Sequence, residues 1–560
     1  MCYHLFRRNN GKSFYYSRIG MHFLLLFVVF AVCFSFTAQA APVFEVEELE
    51  QKVPQPYLTF KDVTYYTLKY QWSIQTSELT IKAQVGVLEQ ATGAFNPLLA
   101  TDTTRFFQRD IQNPPGIKTA FNGITTTNTL SLQTLARLGT TYSVNFSNIN
   151  VINPTFSPNP TDSTIVGFSI TQPLLRNLVW SPQATLEKTQ NLQLKAVRLQ
   201  NVQNIASALF NSFSAYWQFV ATKKLLDIQL MMEQNFCEIA KYADALIQEG
   251  QQGFTTAYQP HADLNLAVAN RIQAEQNVKS AYNNLLFNMG FIPDDSQQVP
   301  DFVVDDFPDF CNYPGLDQEW YDRLLDKIPV NRADIIAAEV LIREADLNLR
   351  SAKNSLLPEV NAIGIANYLN TAAKGRARHV FDSTKARNPE KDYTIGFSFS
   401  FPIFNDTAKG LVKQTRAEKS QAVVNKDLLQ SQVVSGFKTS YTFSNALLAE
   451  VKKNRIAALE YQKTVAAEKI KLENGLSSYF VLLTLENNWL SALTSEISSE
   501  VQFVTNLLLL RLLSGTLVEW EREGHQKITD VENIFTYPCV AHPPYQPVEN
   551  FIEEYCDVEE

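Results

Sequence analysis

The chain has 560 residues, 45% hydrophobic and only 19% charged, with a formal net charge of −9. That acidic balance excludes a nucleic-acid binder, whose surface must be basic to displace counterions from phosphates. Past the N-terminal forty residues no apolar run approaches the about 20 residues of a membrane helix, so a membrane-spanning role would have to fall to strands.

Arg7, Arg8, Lys12 and Arg18 precede an apolar run from Phe23 to Phe36, and Ala38-Gln39-Ala40 follows at cleavage spacing. Residues 1–40 are therefore expected to be a signal peptide. Polar residues after Arg7-Arg8 set the segment apart from a twin-arginine signal. Its removal takes four of 48 basic residues and none of 57 acidic ones, leaving the exported chain more acidic. Four of the six cysteines then remain, Cys237, Cys311, Cys539 and Cys556. A disulfide between Cys539 and Cys556, or free thiols, are both open; none has zinc-ligand spacing.

After an N-terminal segment, 41–57, a helix is expected over about 58–95, with Leu68, Ile74, Leu79, Ile81 and Val85 on one apolar face. Between Pro97 and Pro173 the composition turns to Thr, Asn, Ser, Phe and Gly. Tyr142, Val144 and Phe146 alternate with Thr141, Ser143 and Asn145, as a two-faced strand requires. Residues 167–175, GFSITQPLL, alternate again, with Phe168 and Ile170 against Ser169 and Thr171. Proline-, asparagine- and glycine-rich pieces at 113–123 and 153–162 read as loops.

The period then becomes helical from about 184 to 250, with Leu199, Val202, Ile205, Leu209, Phe213, Tyr216 and Val220 at intervals of three and four. Such a helix is on the order of 100 Å long. A turn at Gln251-Gln252-Gly253 and a return helix over about 260–289 complete a first unit, 58–292, followed by a linker, 293–330.

The second unit, 331–515, repeats the plan: a helix over 332–355, strand regions at 360–369 and 393–401, a helix over about 408–473, a turn at Asn474-Gly475, and a return over 478–513. Residues 396–404 read GFSFSFPIF, so Phe397, Phe399 and Phe401 share one face and Ser398 and Ser400 the other. Gly167 and Gly396, like Pro173 and Pro402, are 229 residues apart, while Pro97 and Pro358 are 261 apart. An internal duplication follows, in which the first unit carries an insertion of 32 residues, enough for an extra hairpin. Pro97, Pro173, Pro358 and Pro402 mark strand–helix transitions. A proline-rich acidic tail, 516–560, lies beyond the repeat.

Together with the signal peptide, the duplicated order, Gln172-Pro173-Leu174-Leu175-Arg176-Asn177, Phe401-Pro402-Ile403-Phe404 and Gly475-Leu476-Ser477 resemble the TolC-type outer-membrane efflux protein family, or outer membrane factors, over about 58–517. The resemblance implies an α+β membrane protein. Three chains would share a 12-stranded transmembrane β-barrel, four main strands from each, above a periplasmic α-barrel of long helical hairpins packed as coiled-coil seams. It implies a homotrimer in the outer membrane of a Gram-negative bacterium, working with a periplasmic adaptor and an inner-membrane transporter. Phe168, Ile170, Phe397, Phe399 and Phe401 would face lipid. The helical tips Gly253, Phe254 and Thr255 and Gly475, Leu476 and Ser477 resemble the family's adaptor-docking grooves. Where the family often places aspartate rings this chain has Gln259, Val481 and Thr484, with Asp263 and Glu486 close by as substitutes at a pore constriction.

No cofactor is expected, and no enzyme: His261, His379, His525 and His542 lack a nucleophile or carboxylate at motif spacing, and no phosphate-cradling loop is present. The expected function is a passive exit duct of a tripartite efflux pump or type I secretion system for small molecules or proteins. A periplasmic coiled-coil structural protein and an outer-membrane adhesin or receptor barrel are the alternatives.

Overall fold

The computed structural model describes residues 57–112, 119–152, 161–250, 253–293, 299, 302–303, 305–308, 318–372, 380–385, 389–520 and 526–528. The expected signal peptide, most of the tail, Cys539 and Cys556, and the parts 113–118 and 153–160 of the two expected loops lie outside the described residues.

Strand β1 (Tyr57–Leu58) runs into α1 (Phe60–Tyr70), which opens with a capping box. The Thr59 hydroxyl accepts from the Asp62 amide at 3.2 Å and the Asp62 carboxylate from the Thr59 amide at 3.0 Å. The single helix expected over 58–95 is in fact two: α2 (Trp72–Gly93) starts anew after Gln71, whose ψ of 121° is extended. Gln71 is held in that bend by its side-chain amide, which donates to the Asn288 carbonyl at 2.9 Å.

From α2 the chain enters β2 (Leu98–Gln112), β3 (Thr119–Leu135), β4 (Thr141–Ile152) and β5 (Thr161–Pro173). It then forms α3 (Pro182–Gln248), whose start is capped by Ser181 with proline at the first helical position. Helix α4 (Tyr258–Met289) returns alongside it, after a 3-10 turn at Phe254–Ala257. Strand β6 (Phe302–Val303) pairs parallel with β1. The segment expected to be only linker contains α5 (Gln318–Asn331), followed by α6 (Ala333–Asn354), β7 (Glu359–Ala372), β8 (Pro389–Ser400), α7 (Asp406–Glu473), α8 (Tyr479–Ser514) and a small hairpin, β9 (Val518–Trp520) with β10 (Gln526–Ile528).

At 67 and 68 residues, α3 and α7 are each about 100 Å long. Such helices persist only where neighbours cover them, and α3 packs on α2, α4, α6 and α8, while α7 packs on α6 and α8. One hydrophobic body gathers Phe213, Tyr216 and Phe219 of α3 with Phe60, Leu286, Leu324, Ile336, Phe437 and Leu508. A second cluster, Met232, Phe236, Ile239, Val465, Leu472, Tyr479 and Leu482, lies toward the helix turns. No described helix is long and apolar enough to cross a membrane.

The main sheet has the order β2-β3-β4-β5-β7-β8, every neighbour antiparallel. It contains six strands: β4, β5, β7 and β8, where strands are expected from the alternating sequence, and a further pair, β2 and β3. The pair β2–β3 is a complete hairpin with strands of 15 and 17 residues. Threonine-rich sequence is well suited to this, since β-branched side chains fit a pleated surface.

Candidate functional site

The register assigns each sheet residue to a face. Leu99, Leu132, Val144, Phe168, Ala366 and Tyr393 form one cross-strand row, and the next row carries Leu130, Phe146, Val166 and Tyr368. Phe168, Ile170, Phe397 and Phe399 all fall on this apolar face, with Phe397 75% and Phe399 72% exposed. Phe401 lies past the end of β8. The opposite face carries Thr127, Ser131, Ser143, Asn145, Ser169, Asn367, Thr394 and Ser398, and there the hydroxyls of Ser143 and Ser169 meet at 2.6 Å. One side suits hydrocarbon and the other suits water.

Away from the helices, Asp162 is buried on the sheet and accepts from the Ser383 amide at 2.8 Å, the Ser383 hydroxyl at 2.7 Å and the Asn148 amide at 3.1 Å. These bonds pin the 3-10 turn Asp382–Lys385 onto the strands. At the helix end, Pro97 and Pro358 immediately precede β2 and β7, Pro173 closes β5, and Pro402 follows β8. Asn177 and Asn405 take left-handed backbone angles at the turns into α3 and α7, where asparagine is better tolerated than other non-glycine residues.

At the far end of the helical hairpins, the α7–α8 turn is a Schellman motif. Gly475, at φ 72°, donates to the Leu472 carbonyl at 2.9 Å, and Leu476 to that of Lys471 at 2.9 Å. Leu476 would ordinarily fold back against the last helical turn; here it is 80% exposed. Ser477 donates instead to Glu468. On the α3–α4 turn, Gly253 caps the 3-10 turn, Phe254 is 80% exposed and Thr255 is exposed. The two turns touch: the buried Tyr479 hydroxyl donates to the Thr256 carbonyl at 2.7 Å. Sequence reasoning missed this bridge, because a hydroxyl bonding a carbonyl 223 residues away has no local signal. Tyr479→Phe is expected to leave the global melting temperature nearly unchanged while speeding hydrogen exchange at 253–258 about fivefold, the loss of about 1 kcal/mol of local protection.

Of the constriction candidates, Gln259, Val481 and Thr484 are exposed, Asp263 is half-buried, and the Gln259 amide donates to Asp263 at 3.0 Å. Glu486 is a correction. It is fully buried in its own chain, accepting from the Asn235 side-chain amide at 3.0 Å, with the Lys469 ammonium 3.4 Å away, so it presents no charge to a pore. Burial raises its carboxyl, and Lys469 and Asn235 oppose the shift. Its place was legible: Leu482, Glu486 and Trp489 occupy one helical stripe. His261 lies on the surface, 3.0 Å from Asp244. Among the described residues no group of His, Cys, Asp and Glu could hold a metal ion, and Cys237 is a free thiol.

Nearer the middle of α8, Glu500 is buried and its carboxyl is pushed up to about 7 from 4.5; desolvation is the largest cause, reinforced by Glu496 and opposed by Lys224 and Arg455. A raised carboxyl contributes stability that is full below pH ~4.5 and is lost as the pH climbs through about 7. Glu500→Gln is therefore expected to flatten the fall in stability between pH 5 and 8. At pH 8 the variant should be more stable by on the order of 2 kcal/mol, read as its thermal midpoint in detergent.

A two-faced antiparallel sheet continuous with hundred-ångström helical hairpins defines the class: the fold is that of an outer-membrane channel. VceC of Vibrio cholerae, an outer membrane protein, superposes with a TM-score of 0.60 at 16% identity over 81% of this chain and 96% of that one. The CmeC outer membrane channel of Campylobacter jejuni gives 0.58 at 14% over 85% and 88%, and the open-state MtrE outer membrane channel of Neisseria gonorrhoeae 0.56 at 15% over 81% and 88%. No curated protein matches the chain. Residues 324–516 match the family described as outer membrane efflux protein. The family and these structural relatives are channels, not enzymes.

Proposed function

We propose that the chain is a passive outer-membrane exit duct, three copies of which close a shared β-barrel over a tunnel built from their helical hairpins. The observation that carries this reading is the sheet, whose apolar face belongs in lipid and whose serine, threonine and asparagine face lines water. A strand sheet with free edges cannot stand in hydrocarbon, so closure with further copies is a condition of insertion. The recurring order of helix, strands, long helix and return helix fits a duplicated gene. A periplasmic coiled-coil scaffold would have no use for the exposed Phe397 and Phe399.

The duct serves an efflux pump or a type I secretion system whose inner-membrane transporter supplies the energy. The apolar tips Phe254 and Leu476, with Gly253, Thr255, Gly475 and Ser477 around them, form the contact for the hairpin of a periplasmic adaptor. Gln259, Asp263, Val481 and Thr484 lie beside those tips and form the constriction.

Native mass of protein extracted from isolated outer membranes, corrected for detergent, tests the assembly. The expected value is three mature chains; a soluble or monomeric product overturns the reading. Deletion of the gene should lower drug tolerance or abolish secretion of a protein substrate, and an unchanged phenotype on both counts would rule out a duct.

A further inference from the structure

We infer that each chain supplies all six strands to the membrane wall, so that β8 of one copy pairs with β2 of the next and three copies close an eighteen-stranded barrel. This rests on the trimeric-duct reading above.

The hairpin β2–β3 is not an appendage. Its strands, at 15 and 17 residues, exceed the about 9–11 residues that cross a bilayer. Strand β3 is laddered to β4 from Leu135↔Thr141 to Ile124↔Ile152, the whole length of β4. A four-strand contribution would instead need β4 to offer its edge to another chain. That edge is already occupied.

All six strands also rise from one plane. β2 leaves the end of α2, and the β3–β4 turn is fastened to the same helix ends. Thr134 donates to the Phe95 carbonyl at 3.1 Å, and Arg137 forks onto Glu187 of α3 at 2.7 and 2.8 Å. Gly139, at φ 80°, sits so close to Asn177 that a Cβ would lie 2.4 Å from its carbonyl oxygen. The outer hairpin thus starts at the level of the others. Near the helices its chemistry continues theirs, with Leu130 and Leu132 on the apolar face and Thr127, Thr129 and Ser131 on the polar one; farther out Asn128, Thr126 and Arg105 stand among Ile124 and Phe107 on the apolar side.

The free edges are then β2 and β8. Tyr393, Ile395, Phe397 and Phe399 on β8 and Leu99 and Phe107 on β2 are all more than half exposed. Left open, long apolar edges of this kind invite aggregation. A second copy is the occupant the geometry fits. β2 runs away from the helices and β8 runs back toward them, so the junction is antiparallel like every other in the sheet. Leu98 and Ser400, the residues at the helix end, both belong to the polar face, so the two faces continue across the junction.

With strands about 4.8 Å apart and tilted about 40°, eighteen strands enclose a cylinder about 36 Å across between strand axes, against about 24 Å for twelve. The duct would be wide at its outer end.

Disulfide trapping in outer membranes tests the junction, in a background with the six native cysteines replaced. Thr104→Cys is combined in turn with Ser398→Cys, Gly396→Cys and Thr394→Cys, all on the polar face, to cover the possible registers. At least one pair is expected to give a linked trimer on a denaturing gel. Asn145→Cys with Gly396→Cys, which reports a β4–β8 junction between chains, is expected to give none. Linkage through β4, or a trimeric native mass with no linkage through Thr104→Cys at any register, overturns the eighteen-stranded wall while leaving the trimer standing. A non-trimeric native mass for the same sample overturns both.

Discussion

Phe397→Arg should abolish most assembly of the chain in the outer membrane, whereas Ser398→Arg, one residue on, should leave it nearly intact. Adjacent strand residues point to opposite faces, so the first substitution puts a guanidinium into hydrocarbon and the second into water. The first costs up to about 2–4 kcal/mol per chain, the value at the bilayer midplane, and less toward its edge. With three chains closing one wall, as proposed above, the cost is met three times in a single assembly. The fraction of heat-resistant oligomer in outer-membrane extracts reads the difference. Equal losses from the two substitutions would mean that the faces have been assigned wrongly.

Gly290→Ala should lower stability by about 3 kcal/mol, the largest effect expected of a single methyl group in this chain. Gly290 ends α4 at φ 93°, and a Cβ there would lie 2.2 Å from the Tyr70 carbonyl oxygen and 2.7 Å from the Gln71 Cα. Both contacts are backbone, so neither can swing aside. Two controls separate the causes. Gly250→Ala keeps the unfavourable angle, φ 72°, with open space around it, and should cost about 1 kcal/mol. Gly253→Ala has neither problem and should be neutral in the same thermal scan.

The long helices were readable because residues such as Phe213, Tyr216 and Val220 recur on a stripe that must be covered, and α3 and α7 begin and end within a few residues of the expected bounds, 184–250 and 408–473. The break at Gln71 was not. It has neither proline nor glycine, and its cause is the Asn288 carbonyl, more than two hundred residues away. Strand β8 was legible from the contrast of phenylalanine with serine, which only an extended chain converts into two faces. Strand β2 lacked that contrast, since Thr101, Thr103 and Arg105 share a face with Leu99 and Phe107. Its length and pairing therefore come from the ladder with β3 rather than from its own pattern. At the tips, glycine signals placed both turns, but the contact between them through Tyr479 and Thr256 is a product of packing.

The hydrophobic interior is divided, and the division sets how the helices yield. One cluster binds the middle of the hairpins, while another, smaller one gathers Phe236, Leu472 and Tyr479 near the turns. Ile228 packs against both and is the one hydrophobic residue they share among the described residues, so the tips are expected to open while the body stays closed. A push on Leu476 or Phe254 is therefore spent on a few side chains and one tyrosine bond before it meets the main core. The turn end of the long helices is therefore expected to open before their middle does.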